Sequence, residues 1–181
     1  MRNIHSQKRH CAQDFPNSML DDFDLQILEA LQRDNRQTAE LIAAAIGLSP
    51  SAVHRRIVKL RDDRVIVADV AVVDPARVDR KMTFIVELML EKVRTTEAAA
   101  IKKRLREAPE IQQCYNITGD ADLLLILTAR DVEDYEDISR RLFSSDAGVR
   151  RYRTSVVMDR VKASLTVPVA PTATRQAKRK R

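Results

Sequence analysis

The side chains best suited to bind a polar or anionic partner follow Ser49. There, small, polar and basic residues share one face of a short predicted helix. Residues 41–60, LIAAAIGLSPSAVHRRIVKL, indicate two helices joined by a tight turn at Gly47. Ser49 suits an N-cap because its hydroxyl accepts backbone N–H groups, and Pro50 suits the first helical position, where its missing N–H costs nothing. Three apolar residues at helical spacing form the buried stripe: Val53, Ile57 and Leu60.

The opposite face of this helix suits the major groove of duplex DNA, which admits a helix with a small, polar and basic surface. Ser51, Ala52 and Arg55 lie near the helix N-terminus and are placed for base edges. Arg56 flanks the buried stripe and Lys59 lies further along, so both are predicted to hold phosphate. For each side chain, the alternative is that it is simply solvated. The predicted DNA-binding residues are Ser49, Pro50, Ser51, Ala52, His54, Arg55, Arg56 and Lys59.

Charge and composition favour a polyanionic partner and disfavour a base-stacking one. The 181 residues carry a net charge of +6, and five of the seven residues 175–181 are Lys or Arg. Such a run cannot fold alone and predicts a sequence-independent phosphate-binding tail, with a plain solubility tail as the alternative. Aromatic residues make up 4% and Trp is absent, so aromatic platforms for stacked bases are not expected.

Other classes of protein are disfavoured by what the sequence lacks. No apolar run approaches about 20 residues and the N-terminal segment has no apolar core, so neither a transmembrane helix nor a secretory signal is expected. Cys11 and Cys114 have no metal-ligand spacing and predict one disordered and one buried free thiol in a reducing cytoplasm. Because nucleophile–base pairs, phosphate-binding glycine loops and metal-spaced His residues are missing, we expect no enzyme, metal or cofactor.

Residues 20–73 predict a winged helix-turn-helix domain, preceded by a disordered leader at residues 1–19. A first helix begins at a cap formed by Asp21 or Asp22 and ends near Arg33, and Thr38 caps the second helix. The helix after Ser49 ends near residue 63. Residues 65–67 and 70–73 are rich in Val and predict a short wing and an exit strand, and residues 74–81 form a linker or hinge.

Residues 82–165 predict a second, ferredoxin-like (ACT-like) domain, so the fold class is α+β. Strands are predicted over residues 83–90, 111–118, 123–127 and 149–158, with helices after Thr95 or Thr96 and after Asp131. Their order is βαββαβ. The expected inward-facing residues of the last helix are Val132, Tyr135, Ile138 and Leu142, and those sharing one side of the second strand are Ile111, Gln113, Tyr115 and Ile117. Residues 166–181 form the basic, disordered tail.

The third strand of this domain predicts self-association. Residues 123–127 read LLLIL and are apolar on both faces, whereas two helices cover only one face of a four-stranded sheet. No further helix remains to cover the other face. A second copy of the same sheet is therefore the expected cover, and the sequence predicts at least a homodimer.

The order of these elements resembles the Lrp/AsnC family, the leucine-responsive or feast/famine bacterial transcription regulators. The matching residues are LD at 20–21 with Asp24 and IL at 27–28, GLSP at 47–50, RI at 56–57 with Leu60, TGDAD at 118–122 and VVM at 156–158. The resemblance implies a cytoplasmic, nucleoid-associated regulator whose second domain binds an amino acid and assembles dimers into larger oligomers. The family usually has Gly where Arg64 stands, which predicts a different turn after the third helix.

The turn at residues 119–122 is the predicted effector site. Gly119 lets backbone N–H groups approach a carboxylate, and Asp120 or Asp122 suits an ammonium group. Alone, a G-D-x-D sequence is more often a plain β-turn, and the family resemblance favours the effector site. Thr154 and Ser155 are added to this site by the same resemblance.

Two functions fit these patterns: a DNA-binding transcription regulator that responds to a small effector, and an architectural protein that compacts DNA without sensing a ligand. RNA binding by the βαββαβ domain is disfavoured because its central strands, TFIVELML and DLLLILT, contain one Phe.

Overall fold

The computed structural model describes residues 20–91, 95–146 and 148–169. The chain divides into two compact units, one formed by Met1–Ala71 together with Ser164–Arg181, and the other by Val72–Ala163. The predicted leader at residues 1–19 and the basic run at residues 175–181 lie outside the described residues. Residues 164–169 join the N-terminal unit, which the predicted domain limits did not include.

Three helices form the N-terminal unit, and each begins at a predicted cap. They are α1 (Asp22–Arg33), α2 (Ala39–Ile46) and α3 (Pro50–Asp62). The side chains of Asp21, Thr38 and Ser49 accept backbone N–H groups at the three N-termini. The helices enclose a small apolar core made of Ile27, Leu28, Ile42, Ala43, Val53, Ile57 and Leu60.

The predicted wing is wrong, because residues 65–73 form no strand. A strand needs a hydrogen-bonding partner, and the described part of this unit contains no other strand. Val67 is 86% exposed. The segment is held instead by Asp69, whose carboxylate accepts hydrogen bonds from Arg61 Nε at 3.0 Å and from Asn35 Nδ2 at 3.0 Å.

The turn after α3 keeps a left-handed residue although that residue is an arginine. Arg64 has φ +55°. The N–H groups of Val65 and Ile66 both donate to the carbonyl of Leu60, at 2.9 and 3.0 Å, and end the helix. The prediction of a different turn is therefore wrong, and Arg64 bears the steric cost that glycine avoids.

The second unit contains a four-stranded antiparallel sheet covered on one face by helices. The strands are β1 (Met82–Leu90), β2 (Ile111–Asn116), β3 (Leu123–Ala129) and β4 (Val149–Val156), in the spatial order β2-β3-β1-β4. The helices are α4 (Thr95–Glu107) and α5 (Val132–Ser139), and α5 continues into a π-helical turn at Arg140–Ser144. The predicted βαββαβ fold is confirmed.

Alternation along the strands puts a large apolar core on the helix side of the sheet. Phe84, Val86 and Leu88 of β1 are buried there, beside Leu125 and Leu127 of β3. On the other face, the centre of the sheet carries the half-buried side chains of Ile85, Leu124 and Ile126. No helix in the described part of the chain is long and apolar enough to cross a membrane.

Three predicted side-chain positions in this unit are wrong. A register shift in β2 pairs Ile111 with Leu127 but Gln113 with Ile126, so Ile111 and Gln113 face opposite sides of the sheet. Val132 is 53% exposed because it occupies the first turn of α5 rather than the buried stripe. The side chain of Cys114 is exposed on β2, an edge strand.

Candidate nucleic-acid interface and effector turn

Helix α3 has one buried stripe and one open face. Val53, Ile57 and Leu60 are 0%, 7% and 3% exposed. Gly47, with φ +75°, closes the turn before the helix. The hydroxyl of Ser49 accepts the N–H of Ala52 at 3.3 Å, which completes the cap. The exposed face carries four of the predicted DNA-binding side chains: Ser51, His54, Arg55 and Lys59.

Two cations of this face are available to an external anion. Arg55 and Lys59 are exposed, and among the described residues neither forms a hydrogen bond or an ion pair. Arg61, at the end of the same helix, is paired with Asp69 at 3.0 Å. The free positive charge of α3 is therefore concentrated at Arg55 and Lys59.

Arg56 has an intramolecular role that the sequence prediction did not include. Its Nη1 atom lies 2.8 Å from Asp21 Oδ2 and 2.7 Å from Asp24 Oδ1, and its guanidinium carbon lies 5.6 Å from the centre of the Phe23 ring. Asp21 and Asp24 form the capping box of α1. Arg56 therefore ties α3 to the start of α1, and its Nη1 atom is already engaged by two carboxylates.

Electrostatics at Asp21 agree with this geometry. Burial raises the pKa of the Asp21 carboxyl, but the hydrogen bond from the Asp24 N–H and the hydrogen bond and charge of Arg56 outweigh it. The pKa of Asp21 is consequently lowered from its ordinary value of 3.8. Asp21 stays ionised at neutral pH, as both capping and pairing require.

The turn between β2 and β3 carries two carboxylates, and one of them, that of Asp122, is hydrogen-bonded to the backbone of β1. Asp122 donates its N–H to the carbonyl of Leu88 at 2.9 Å, and its Oδ2 accepts the N–H of Leu90 at 2.8 Å. Gly119 has φ +125°, a backbone conformation that disfavours any side chain. Asp120 is exposed and has no partner among the described residues. Asp122 is therefore partly engaged within the protein, whereas the Asp120 carboxylate has no partner among the described residues.

The two predicted effector residues of β4 do not join this turn. Thr154 pairs across the sheet with Val86 and Ser155 with Ile85, whereas the turn contacts β1 at Leu88 and Leu90. The Thr154 hydroxyl also hydrogen-bonds the Tyr135 hydroxyl on the helix side of the sheet. Ser155 faces the other side. Of the five predicted effector residues, only Gly119, Asp120 and Asp122 share one loop.

A cavity of about 320 Å³ lies between α4 and β2 and reaches the base of this turn. Asn116 and Leu123, the residues that flank the turn, form part of its wall. Lys102 and Arg106 line the cavity one helical turn apart, and neither has an ion-pair partner among the described residues. The cavity thus combines unpaired positive charge with apolar surface.

Both units match known family models. The AsnC-type helix-turn-helix domain matches residues 20–61, and the Lrp/AsnC ligand binding domain matches residues 83–167. An HTH-type transcriptional regulator of Sinorhizobium fredii is 44% identical over 150 residues, which are 83% of this chain and 89% of that protein. The chain belongs to the Lrp/AsnC family.

Other Lrp/AsnC proteins support the same assignment over most of the chain. The leucine-responsive regulatory protein of Haemophilus influenzae is 30% identical over 146 residues, covering 81% of this chain and 88% of that protein. The crystal structure of an AsnC family transcriptional regulator from Agrobacterium tumefaciens has a TM-score of 0.77 at 28% identity, covering 82% of this chain and 97% of that chain. The predicted family and its role in transcription regulation are confirmed.

In this Lrp/AsnC regulator, two groups of residues escaped the sequence prediction. Asp21 was predicted only as a possible cap and Asp24 only as a residue matching the family, although their partner Arg56 lies 35 and 32 positions away. Lys102 and Arg106 carry a weak signal, since two cations four positions apart share one helix face. That spacing is also common on solvated helices, so it did not single them out.

Proposed function

We propose that the exposed face of α3 enters the major groove, with Arg55 at base edges and Lys59 on the phosphate backbone. The observation that carries this proposal is the selective pairing of cations, because Arg56 and Arg61 are bound to carboxylates while Arg55 and Lys59 are not. Arg55 lies in the first half of the helix, where recognition helices contact bases. Lys59 lies one turn further along.

Two substitutions separate these roles. Arg55→Ala removes a base contact and is expected to cost about 1–3 kcal/mol at one base position, which relaxes sequence preference there. Lys59→Ala is expected to weaken binding to all sequences alike and to flatten the salt dependence by about 0.9 of a slope unit. Fluorescence anisotropy measures both effects when the protein is titrated into its preferred duplex sequence and into single-base variants of that duplex. Equal losses on every sequence for Arg55→Ala would contradict its assignment to base edges.

We also infer that the turn at residues 119–122 binds the carboxylate and ammonium groups of a free α-amino acid. The backbone around Gly119 offers N–H donors, and Asp120 offers an unpaired carboxylate for the ammonium group. Lys102 and Arg106 add positive charge to the adjoining cavity, where an aliphatic side chain has apolar walls. The name of the leucine-responsive relative supports an amino acid as the class of ligand.

A thermal-shift screen of the twenty amino acids tests this inference. A ligand that binds only the native state at 100 times its Kd raises the free energy of unfolding by about 2.7 kcal/mol. Asp120→Asn should remove the shift, whereas the control Asp159→Asn, an exposed carboxylate of the same unit, should retain it. If no amino acid stabilises the protein although it binds DNA, an architectural role without effector sensing replaces this proposal.

The open face of the sheet is proposed as the dimer interface. Ile85, Leu124 and Ile126 form an apolar centre on that face, and a second copy of the sheet is the cover that matches its pleat and size. Ile126→Glu would place an unpaired charge in that interface and should yield a monomer. Glu133→Gln, an exposed change on α5, is the control. Light scattering that finds a folded wild-type monomer at micromolar concentration would refute the dimer.

A further inference from the structure

The cavity between α4 and β2 lies on the helix side of the sheet. Cys114 and Asn116 of β2 pair with Leu125 and Leu123 of β3, which are buried in the helix-side core. Paired residues of neighbouring antiparallel strands point to the same side, so Cys114 and Asn116 also face α4. The apolar centre proposed as the dimer interface is on the other face, and a dimer formed there leaves the cavity uncovered.

The charged side chains that line this cavity in the described part of the chain are both cations. They are Lys102 and Arg106, and no carboxylate of the described residues lines the cavity with them. The two cations between them on α4 are engaged elsewhere, Lys103 with Glu107 at 3.9 Å and Arg104 with a carboxylate that follows the π-helical turn. The unpaired positive charge of this part of α4 is therefore directed to the cavity.

This charge acts inside the cavity, as the Cys114 thiol shows. Partial burial raises the pKa of this thiol above its ordinary value of 9.0, and the charges of Arg106 and Lys102 oppose that rise. Both cations therefore lie within electrostatic range of the β2 wall. On a helix, side chains four positions apart have Cβ atoms about 5–6 Å from each other, so one small anion can contact both cations.

We propose that the cavity binds the side-chain carboxylate of the effector, which makes the effector an acidic α-amino acid, L-glutamate or L-aspartate. This inference rests on the proposed binding of the α-amino and α-carboxylate groups at the turn of residues 119–122. Asn116 and Leu123 flank that turn and also form part of the cavity wall. The side chain of an amino acid held at the turn therefore extends toward Lys102 and Arg106. A basic side chain would meet two like charges there.

The remaining wall suits the aliphatic part of such a side chain. Leu105, Ile111 and Leu123 supply apolar surface against which its methylene groups pack. The volume of about 320 Å³ is at the lower end of the range of about 300–1,000 Å³ found for small-molecule sites. The cavity is therefore of a size for a ligand as small as an amino acid.

Thermal-shift titrations of the full chain with L-glutamate, L-aspartate, L-glutamine and L-leucine test the selectivity. We expect at least one of the two acids to bind about tenfold or more tightly than L-glutamine, because the amide of L-glutamine carries no charge to pair with the cations. L-leucine should also bind more weakly than that acid. Equal stabilisation by L-glutamine or L-leucine would overturn the acidic selectivity.

Substitutions on α4 test whether the two cations cause this selectivity. Lys102→Gln and Arg106→Gln should each lower the affinity for the acidic amino acid about tenfold and change that for L-glutamine far less. Arg106→Lys keeps the charge and should retain most of the affinity. Lys103→Gln is the matched control, because Lys103 neighbours Lys102 on α4 but is paired with Glu107. Circular dichroism checks that each variant is folded.

The Cys114 thiol reports whether the cavity itself is occupied. The chain has two cysteines, so Cys11→Ser leaves Cys114 as the single site of alkylation by the neutral reagent iodoacetamide. At 100 times its Kd, a ligand leaves about 1% of its sites empty, so a ligand that covers the thiol should slow alkylation by up to about 100-fold. Mass spectrometry measures the rate with and without the acidic amino acid. An unchanged rate under saturating ligand would place the ligand outside the cavity and overturn the inference.

These experiments distinguish this inference from the function on which it rests. If a neutral amino acid stabilises the wild type best and Asp120→Asn removes that shift, amino-acid binding at the turn holds and only the acidic selectivity fails. If no amino acid stabilises the protein or protects Cys114, the proposed effector site fails together with this inference.

Discussion

Replacing Arg56 with methionine should destabilise the N-terminal unit without changing the salt dependence of DNA binding. Methionine keeps an unbranched side chain of similar reach but removes the charge that binds Asp21 and Asp24. The Arg56 and Asp24 side chains are 29% and 16% exposed, and that of Asp21 is 49% exposed. The substitution therefore leaves Asp24 as a mostly buried carboxylate without its cation.

The size of the effect follows from this burial. A charge-assisted hydrogen bond whose partner is left unpaired contributes about 1.5–3 kcal/mol, and an exposed pair contributes about 0–1 kcal/mol. We take the lower end for Asp24 and the middle for Asp21, which gives a loss of about 2 kcal/mol. At roughly 4–8 °C per kcal/mol for a small domain, the melting temperature of this unit should fall by about 8–16 °C.

The loss should depend on pH with a definite sign. The pKa of Asp21 is lowered in the folded protein, so its contribution is present above the ordinary value of 3.8 and is lost as pH falls through the lower folded value. The difference in stability between the wild type and Arg56→Met should therefore be constant near neutral pH. It should shrink at pH values below 3.8.

Urea denaturation followed by circular dichroism measures this stability, and anisotropy titrations measure the salt slope. Lys59→Met is the matched control on the same helix, because it is exposed and unpaired among the described residues. It should flatten the slope by about 0.9 unit and change stability by less than about 0.5 kcal/mol. The reasoning is refuted if Arg56→Met flattens the slope and leaves stability unchanged, since Arg56 would then hold phosphate.

Three further substitutions test single positions by urea denaturation. Arg64→Gly should raise the free energy of unfolding by about 0.5–1 kcal/mol, because glycine adopts the φ of +55° without steric cost; a decrease would contradict this. Gly119→Ala should lower it by about 1–2 kcal/mol through backbone strain alone, since an added Cβ meets no atom within 4 Å; unchanged stability would show that the turn relaxes. Thr154→Val should lower it by about 1–2 kcal/mol by leaving the Tyr135 hydroxyl unpaired, and should leave any amino-acid thermal shift intact; loss of that shift would return Thr154 to the effector site.

The pairing of cations along α3 has a consequence for how the regulator recognises DNA. Two of its four arginine and lysine side chains within residues 55–61 are bound to carboxylates of the same unit, and two are not. Paired cations hold the helix in position, and unpaired ones are available to DNA without first breaking an internal contact. Counting the basic residues of a helix therefore gives a larger number than the cations that are unpaired and available to DNA.

Local signals in the sequence determined the helices and strands of this protein. Caps at Asp21, Thr38, Ser49 and Asp131 act within three residues of the backbone groups they satisfy, so short-range patterns reveal them. Alternation in β1 predicted its buried face in the same way. The L-S-P turn and the G-D-x-D turn, taken together, also identified the family.

Contacts between distant positions were decided only in the tertiary structure. Arg56 meets Asp21 across 35 positions, and Gln32 meets Val167 across 135, so neither pairing follows from residue type or spacing. The predicted wing did not form because a strand is stable only when it pairs with another strand, and the described part of this unit contains none. The face of Ile111 changed because a single register shift in an edge strand reverses the side on which a residue lies. In each case the outcome depends on a partner residue or strand that is distant in the sequence, and only folding brings that partner within reach.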